Sequence, residues 1–271
     1  MTATPTASAA GAMAGSLRDT ATLTGRILQH WKRRPVSIVL GLLFPVLMVV
    51  MFGYLFGGAM AVPDGHYMDF LIPGMLAMTM LFGLEAMVVV VTTDTAKGVT
   101  ERIRAMPVTT TAILAGRSAA DLLNAVVGIT VMVATGLIVG WTTNRGPLLA
   151  LAGLGLLVWL RFALTWIGIY LGLLLKAPES AVAVQVLVWP AGFLSSAFVS
   201  PDTMPSWLGA IATWNPLSAT ATAIRDLFGN PSWNAHNWAT EHSVALALAW
   251  PAVLTVIFLP LAARQYRALG R

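Results

Sequence analysis

Charge is scarce in this chain. Only 10% of its 271 residues are Asp, Glu, Lys or Arg and 57% are hydrophobic, with a mean hydropathy of +0.77. Soluble domains carry about 25% charged residues, so a water-soluble globule is excluded. Cysteine is absent, which removes disulfides and thiolate metal sites and leaves the redox compartment unread. The four histidines, His30, His66, His236 and His242, are scattered without metal-ligand spacing. Lysine occurs only at positions 32, 97 and 176, and none follows the glycine-rich loop of a Walker A site. No phosphate cradle of that kind exists, so no ATP-binding motif and no cofactor are assigned to this chain.

Long apolar runs fill the space that charge leaves. A transmembrane helix needs about 20 mostly apolar residues. Charge-free runs of that order occur at Pro35–Pro63, Leu122–Asn144, Ser180–Pro201 and Ser243–Ala263. Two more, Phe70–Thr93 and Leu148–Leu175, carry one interior charge each, Glu85 and Arg161. Six spans are expected, at about 36–58, 70–93, 112–141, 148–175, 180–200 and 243–263. The net charge of +5 would suit a nucleic-acid backbone. Arg and Lys, however, sit at the ends of apolar runs, as membrane flanks do, which argues against nucleic acid as a partner.

The same basic residues set the sidedness. With the N-terminus inside, thirteen of the sixteen Lys and Arg fall on the cytoplasmic side, and only Arg145, Arg161 and Arg225 remain. Both termini are therefore expected in the cytoplasm of a multi-pass plasma (inner) membrane protein. Residues 1–15 are an uncharged Ala/Thr-rich leader expected to be disordered, and residues 266–271 a cytoplasmic tail. Over 16–34, Leu17, Ala21, Thr24, Leu28 and Trp31 recur at helical steps, with Arg18, Arg26, Lys32 and Arg33 elsewhere on the wheel. Such an amphipathic helix would lie in the inner headgroup layer. It reads either as a membrane anchor alone or as an anchor that also touches a cytoplasmic partner. The apolar run after Lys32 is too long for a cleaved signal peptide, so it reads as an uncleaved signal anchor.

One charged, turn-rich segment interrupts the apolar pattern: Asp94-Thr95-Ala96-Lys97-Gly98-Val99-Thr100-Glu101-Arg102-Ile103-Arg104-Ala105-Met106-Pro107. Gly98 can end the preceding helix, and Pro107 bounds a short helix Val99–Met106. Glu101 and Arg102 would face an aqueous partner, with Ile103 and Met106 as apolar anchors. Asp94, Gly98, Glu101, Arg102, Arg104, Met106 and Pro107, with Gly116 opening the next span, resemble the first intracellular loop of type-2 ABC exporter permeases. The resemblance implies a coupling helix that docks on a separate ABC ATP-binding subunit, where ATP and Mg would be bound.

A second stretch resembles the same family, and within it the daunorubicin and multidrug exporters. It comprises Phe198, Pro201, Met204, Pro205 and Trp207, then Asn215 and Pro216, then Arg225. Pro201 and Pro205 suit the end of the fifth span and the first turn of a short helix. Trp207, Trp214, Trp233 and Trp238 suit the headgroup level. Leu217, Ala221, Ile224 and Phe228 make Pro216–Gly229 amphipathic. The resemblance implies an outer gate, or a helix pair on the extracellular face, along the outer leaflet.

Glu85 and Arg161 cost about 2.5–3.5 kcal/mol each at the bilayer centre on insertion scales. Two readings stand side by side: satisfaction at helix–helix contacts, or a place on a transport path. Gly136, Gly140, Gly153, Gly155, Gly168 and Gly172 suit close helix packing. The expected fold class is thus an all-α membrane protein. It has six transmembrane helices, an N-terminal interfacial amphipathic helix, a cytoplasmic coupling helix and a short outer-leaflet helical hairpin before the last span. Residues 35–265 form its type-2 ABC transmembrane domain.

The expected function, resting on the resemblance, is the permease subunit of an ATP-driven exporter of a hydrophobic or amphipathic substrate (drug, antibiotic or lipid-like). Six spans enclose little more than half a typical path, so a second copy of this permease, forming a homodimer, is expected beside it in the membrane lipid. A secondary transporter or channel built on Glu85 would predict internal repeats, and none is evident between Pro35–Asn144 and Pro147–Ala263. An enzyme would need convergent nucleophiles, acids or metal ligands, which the scattered histidines do not provide.

Overall fold

The computed structural model describes residues 24–25, 35–55, 57, 66–105, 108–175, 177–232 and 237–269. Every regular element among them is helical. The order is α1 (Pro35–Leu55), α2 (Tyr67–Ala96), α3 (Val99–Arg104), α4 (Thr110–Ile138) and α5 (Pro147–Leu175). A 3-10 turn at Pro178–Ser180 leads into α6 (Ala181–Phe193). A second, Pro201–Thr203, precedes α7 (Ser206–Trp214) and α8 (Pro216–Phe228). A single turn, α9 (Trp238–Glu241), opens onto the long α10 (Ser243–Ala268).

Among the described residues, α2, α4, α5 and α10 are long and apolar enough to cross a membrane, and Val39–Leu55 within α1 is a shorter apolar stretch. The thirty residues of α2 extend about 45 Å at 1.5 Å per residue. That exceeds a hydrocarbon core of about 30 Å, so its ends reach the polar layers. Large apolar side chains face outward, including Leu47 on α1, Ile138 on α4, Leu148 on α5, Leu187 on α6 and Val256 on α10. Lipid, not water, is the solvent that such a surface matches.

The centre of the bundle is α2, whose Phe70, Leu71, Ile72, Leu76, Ala77, Met78 and Val88 are fully buried. It packs along α5 and also meets α1, α4, α6 and α8, while α10 closes the far side against α5 and α8. Small residues let α5 approach α2. A Cβ on Gly168 would stand 2.8 Å from Met87 Cβ, and one on Gly172 2.6 Å from Val91 Cβ. Gly153 likewise accommodates Phe228, and Gly136 accommodates Trp141.

The helices α1, α2, α4, α5 and α10 lie at Pro35–Leu55, Tyr67–Ala96, Thr110–Ile138, Pro147–Leu175 and Ser243–Ala268, and the last four are long and apolar enough to cross a membrane. The region expected to span 180–200 differs: α6 is 13 residues long and stops at Phe193. Pro190 lies inside its last turn and contributes no N–H. After Leu194, side chains replace the helical bonds. Ser195 Oγ donates to the Gly192 carbonyl at 2.5 Å, and the Ser196 N–H donates to Ser218 Oγ at 2.8 Å. Two short helices, α7 and α8, precede α9 and α10.

Several expectations fall outside the described residues. These are the leader 1–15, the amphipathic helix 16–34 apart from Thr24 and Gly25, the end of the tail at 270–271, and Trp233, Met106 and Pro107. Thr24 is helical, and its Oγ1 donates to the Gly116 carbonyl at 3.2 Å, against the start of α4.

Candidate functional site

At one end of the bundle, α3 forms the turn between two long helices. The Lys97 N–H closes α2 by donating to the Thr93 carbonyl at 3.0 Å. Gly98 then takes φ +64°, a left-handed conformation that glycine adopts without a Cβ clash. The chain reverses there and starts α3. Thr100 points inward and is buried. Ile103 packs against the cluster that contains Met87, Ile113, Leu114 and Tyr266. The Arg104 guanidinium stands 6.0 Å from the centroid of the Tyr266 ring, at the limit of a cation–π contact. Glu101, Arg102 and Ala105 are exposed.

The outward face of α3 is therefore charged, and Ile103 anchors it to its own chain. Ile103, expected as an apolar anchor, packs on its own chain's cluster. Local helix geometry explains it: Thr100, Ile103 and Arg104 are three and four residues apart and share a face. Asp94, on the last turn of α2, accepts from Arg117 of α4, which joins the two helices just above α3.

In the middle of the bundle the intramembrane charges are not alike. Arg161 is buried and pairs with Asp121 of α4 through two nitrogens, Nε donating to Asp121 Oδ2 at 2.8 Å and Nη2 to Asp121 Oδ1. Its Nη1 donates to the Met80 carbonyl of α2 at 3.1 Å. Thr165 Oγ1 completes the cluster at 2.5 Å from Asp121 Oδ2. Gly83 leaves room for the guanidinium, because a Cβ there would coincide with Arg161 Nη1. The Arg161 charge is thus satisfied at a contact of α2, α4 and α5, and Glu85 is not its partner. Glu85 is half-buried on α2.

Asp121 is the residue that sequence reasoning misses, because it borders the charge-free run that begins at Leu122. Its position was the available signal. It lies about 16 Å along α4 from Thr110, too deep for a flanking charge.

At the opposite end, the signature residues gather around the break after α6. Asn215 Nδ2 donates to the Ala191 carbonyl at 2.9 Å and the Leu194 carbonyl at 2.7 Å. Its Oδ1 accepts from the Leu217 N–H at 2.8 Å, so one side chain ends α6 and caps α8. Pro216 follows at the first position of α8, where its missing N–H has no helical partner to lose.

Arg225 has no exposed surface. It donates from Nε to the Phe70 carbonyl at 3.2 Å and from Nη1 and Nη2 to the Ser196 and Ala197 carbonyls at 2.9 Å each. Its Cζ lies 3.7 Å from the Phe70 ring centroid. Burial lowers its pKa to about 9, with Asp226 and Tyr67 acting the other way, so it stays charged at neutral pH. Burial raises the pKa of the neighbouring Asp226, an effect opposed by a hydrogen bond from Ser243 and by Arg145 and Arg225. Carbonyls freed by a broken helix need partners wherever water is excluded, and Asn215 and Arg225 supply them.

Phe198 and Pro201 are buried, Met204 is half-buried, and Pro205 and Trp207 are exposed. Trp214 and Trp238 stack at 5.9 Å on the outer surface. The structure thus brings Phe198, Pro201, Asn215, Pro216 and Arg225 together at one break, and leaves Trp207 on the rim.

Residues 18–228 match the family model described as ABC-2 type transporter. The chain belongs to the ABC-2 type transporter family. It is 34% identical over 257 residues to a daunorubicin resistance ABC transporter permease protein, DrrB1, of Streptomyces coeruleorubidus, covering 94% of this chain and 88% of that protein. It is 29% identical over 216 residues to a putative transport permease, ycf38, of Cyanophora paradoxa, covering 78% and 74%. A probable doxorubicin resistance ABC transporter permease protein, DrrC, of Mycobacterium tuberculosis is 22% identical over 203 residues, 74% of each chain. The ABC-2 match runs from ahead of α1 to the end of α8 and so includes both α3 and the Asn215–Arg225 region.

Proposed function

We propose that this ABC-2 chain is the membrane permease subunit of an ATP-driven exporter at the plasma membrane, with both termini in the cytoplasm. ATP and Mg are bound by a separate ATP-binding subunit, and a second copy of this chain completes the path. The substrate is a hydrophobic or amphipathic molecule that leaves from the lipid side.

The observation that carries this reading is α3. A short helix stands at the tip of two long apolar helices, its inner face held by Thr100 and Ile103 and its outer face made of Glu101 and Arg102. Such a face suits docking on a water-soluble partner. The relatives named as drug-resistance permeases support the direction of transport. Asp94 and Arg117 would pass motion of the docked subunit into α2 and α4, and the break held by Asn215 and Arg225 would serve as the outer gate.

The test is purification of the chain from its native membranes in mild detergent, comparing wild type with the double variant Glu101→Ala/Arg102→Ala. A nucleotide-binding subunit that accompanies the wild type and is lost from the variant is the expected result. A wild-type chain that emerges alone would overturn the reading.

A further inference from the structure

Arg161 and Arg225 are answered inside the fold. The guanidinium groups at the α3 end of the bundle are not. Arg264 and Arg267 are exposed on α10, and Arg104 of α3 is half-exposed. None of the three makes an ion pair among the described residues. Of the carboxylates at this end, Asp94 is held by Arg117, and Glu101 and Glu179 are exposed and pair with no arginine there.

Which surface these arginines occupy follows from α10. Ile257 and Pro260 stand seven and four residues before Arg264, and Val256 and Pro260 eleven and seven before Arg267. These residues therefore share one stripe of the helix. Its apolar part faces outward, with Val256 74% and Ile257 46% exposed. The stripe meets lipid along the span and ends in two guanidinium groups. Arg264 lies about 32 Å along α10 from its start at Ser243, just beyond a hydrocarbon core of about 30 Å. The pair thus stands among lipid headgroups, to the side of the tip that a soluble partner would cover.

The short helix α3 reaches the same turn of α10. The Arg104 guanidinium stands 6.0 Å from the ring of Tyr266, the residue that precedes Arg267. The Tyr266 hydroxyl and Arg117 Nη1 are buried and have no hydrogen-bond partner. Arg104 and Arg117 both act electrostatically on Tyr266. This corner gathers cations and unused donors and lacks an anion.

We propose that α3 and the end of α10 form a headgroup site for an anionic phospholipid. Its phosphodiester lies among Arg104, Arg264 and Arg267, and its acyl chains run along Val256, Ile257 and Pro260. Guanidinium groups donate to phosphate oxygens through charge-assisted bonds, and basic groups at the cytoplasmic end of a span attract anionic headgroups. A zwitterionic lipid brings the same phosphate with a cation that cancels its charge. The bound lipid ties α3 to α10 and so sets how firmly the charged face of α3 is held. That its leaflet is the inner one rests on the sidedness proposed above.

The test is native mass spectrometry of the full chain in mild detergent, titrated with phosphatidylglycerol or with phosphatidylcholine of the same acyl chains. The phosphatidylglycerol Kd is expected to be lower by about tenfold or more. Arg264→Gln/Arg267→Gln should raise it by about thirtyfold and Arg104→Gln by about fivefold, with phosphatidylcholine binding unchanged. Arg145→Gln removes the same charge at the opposite end and should leave phosphatidylglycerol binding at the wild-type level. Inorganic phosphate in excess should not displace the lipid.

Equal affinity for the two lipids, or an equal loss in Arg145→Gln, would overturn the proposal. So would displacement by inorganic phosphate, which would mark a site for a free anion. Wild-type phosphatidylglycerol affinity in Arg264→Gln/Arg267→Gln would also overturn it, and loss of the ATP-binding subunit from that variant would then assign the patch to the partner. The titration uses neither nucleotide nor a second subunit, so its failure leaves the exporter reading standing. A wild-type chain that purifies without an ATPase would sink the exporter reading and leave the lipid result intact.

Discussion

Arg161 and Arg225 are both buried, yet they are stabilised by different kinds of partner. Arg161, mid-bundle, meets a carboxylate on the adjacent helix, with Asp121 and Thr165 completing a closed cluster. Arg225, at the end where α6 breaks, donates all three of its bonds to main-chain carbonyls. The first arrangement fixes whole helices against one another. The second fixes a gap in one helix, where a carboxylate would offer no donor to the exposed carbonyls. A buried arginine therefore says little until its acceptors are known.

Breaking the two arrangements separately should show this difference. The largest effect is expected from Asp121→Ala, which leaves a buried guanidinium without its counter-charge. It should destabilise the chain by about 3–5 kcal/mol, read as a shift in unfolding of the purified protein in mild detergent. The paired variant Asp121→Leu/Arg161→Met should recover most of that loss, because apolar replacement of a buried ion pair is often close to neutral.

Arg225→Ala should cost about 3 kcal/mol, since unpaired buried acceptors cost about 1–3 kcal/mol each and part of the gap can relax. Here a carboxylate change elsewhere cannot compensate. Arg225→Lys should recover only part, because one ammonium cannot reproduce the planar fork over Ser196 and Ala197. Protease cleavage after α6 would report the loosened break directly.

Gly172→Ala, which presses on Val91, should cost about 1–3 kcal/mol by overpacking. It leaves both arginine clusters intact and so serves as the packing control. The smallest of the series is Gly98→Ala. A side chain at φ +64° costs about 1–2 kcal/mol, and the change should act mainly on recruitment of an ATP-binding subunit, measured by co-purification.

The helices were largely legible because lipid imposes one rule, a long run of apolar residues, on every span. The four helices long and apolar enough to cross a membrane, α2, α4, α5 and α10, follow from it. The turn at Gly98 was legible because only a few residues take its conformation easily. The break in α6 was not, because its composition is as apolar as that of a span. What ends the helix is distant in sequence, at Asn215 and Arg225.

The Arg161 partner was hidden for a related reason. Depth along a helix has to be compared between two helices before Asp121 and Arg161 fall level, and an apolar-run count discards that information. Ile103 shows a third limit. Its apolar side chain told of a contact, and only the packed cluster told which one. Signature residues such as Asn215 and Arg225 were found by resemblance, while their physical role as acceptor-satisfying groups came from the geometry.

The link between Asp94 and Arg117 changes what α3 is as a mechanical part. Without it, α3 would be held to its own chain only through Thr100 and Ile103, with no charged link between α2 and α4 beside it. With it, the tip is a closed yoke across α2 and α4, and the Asp121–Arg161 cluster bolts α5 to the same frame. A load applied at Glu101 and Arg102 is then shared by three helices, so displacement at the tip arrives deep in the bundle as tilt of a frame and not as bending of one rod.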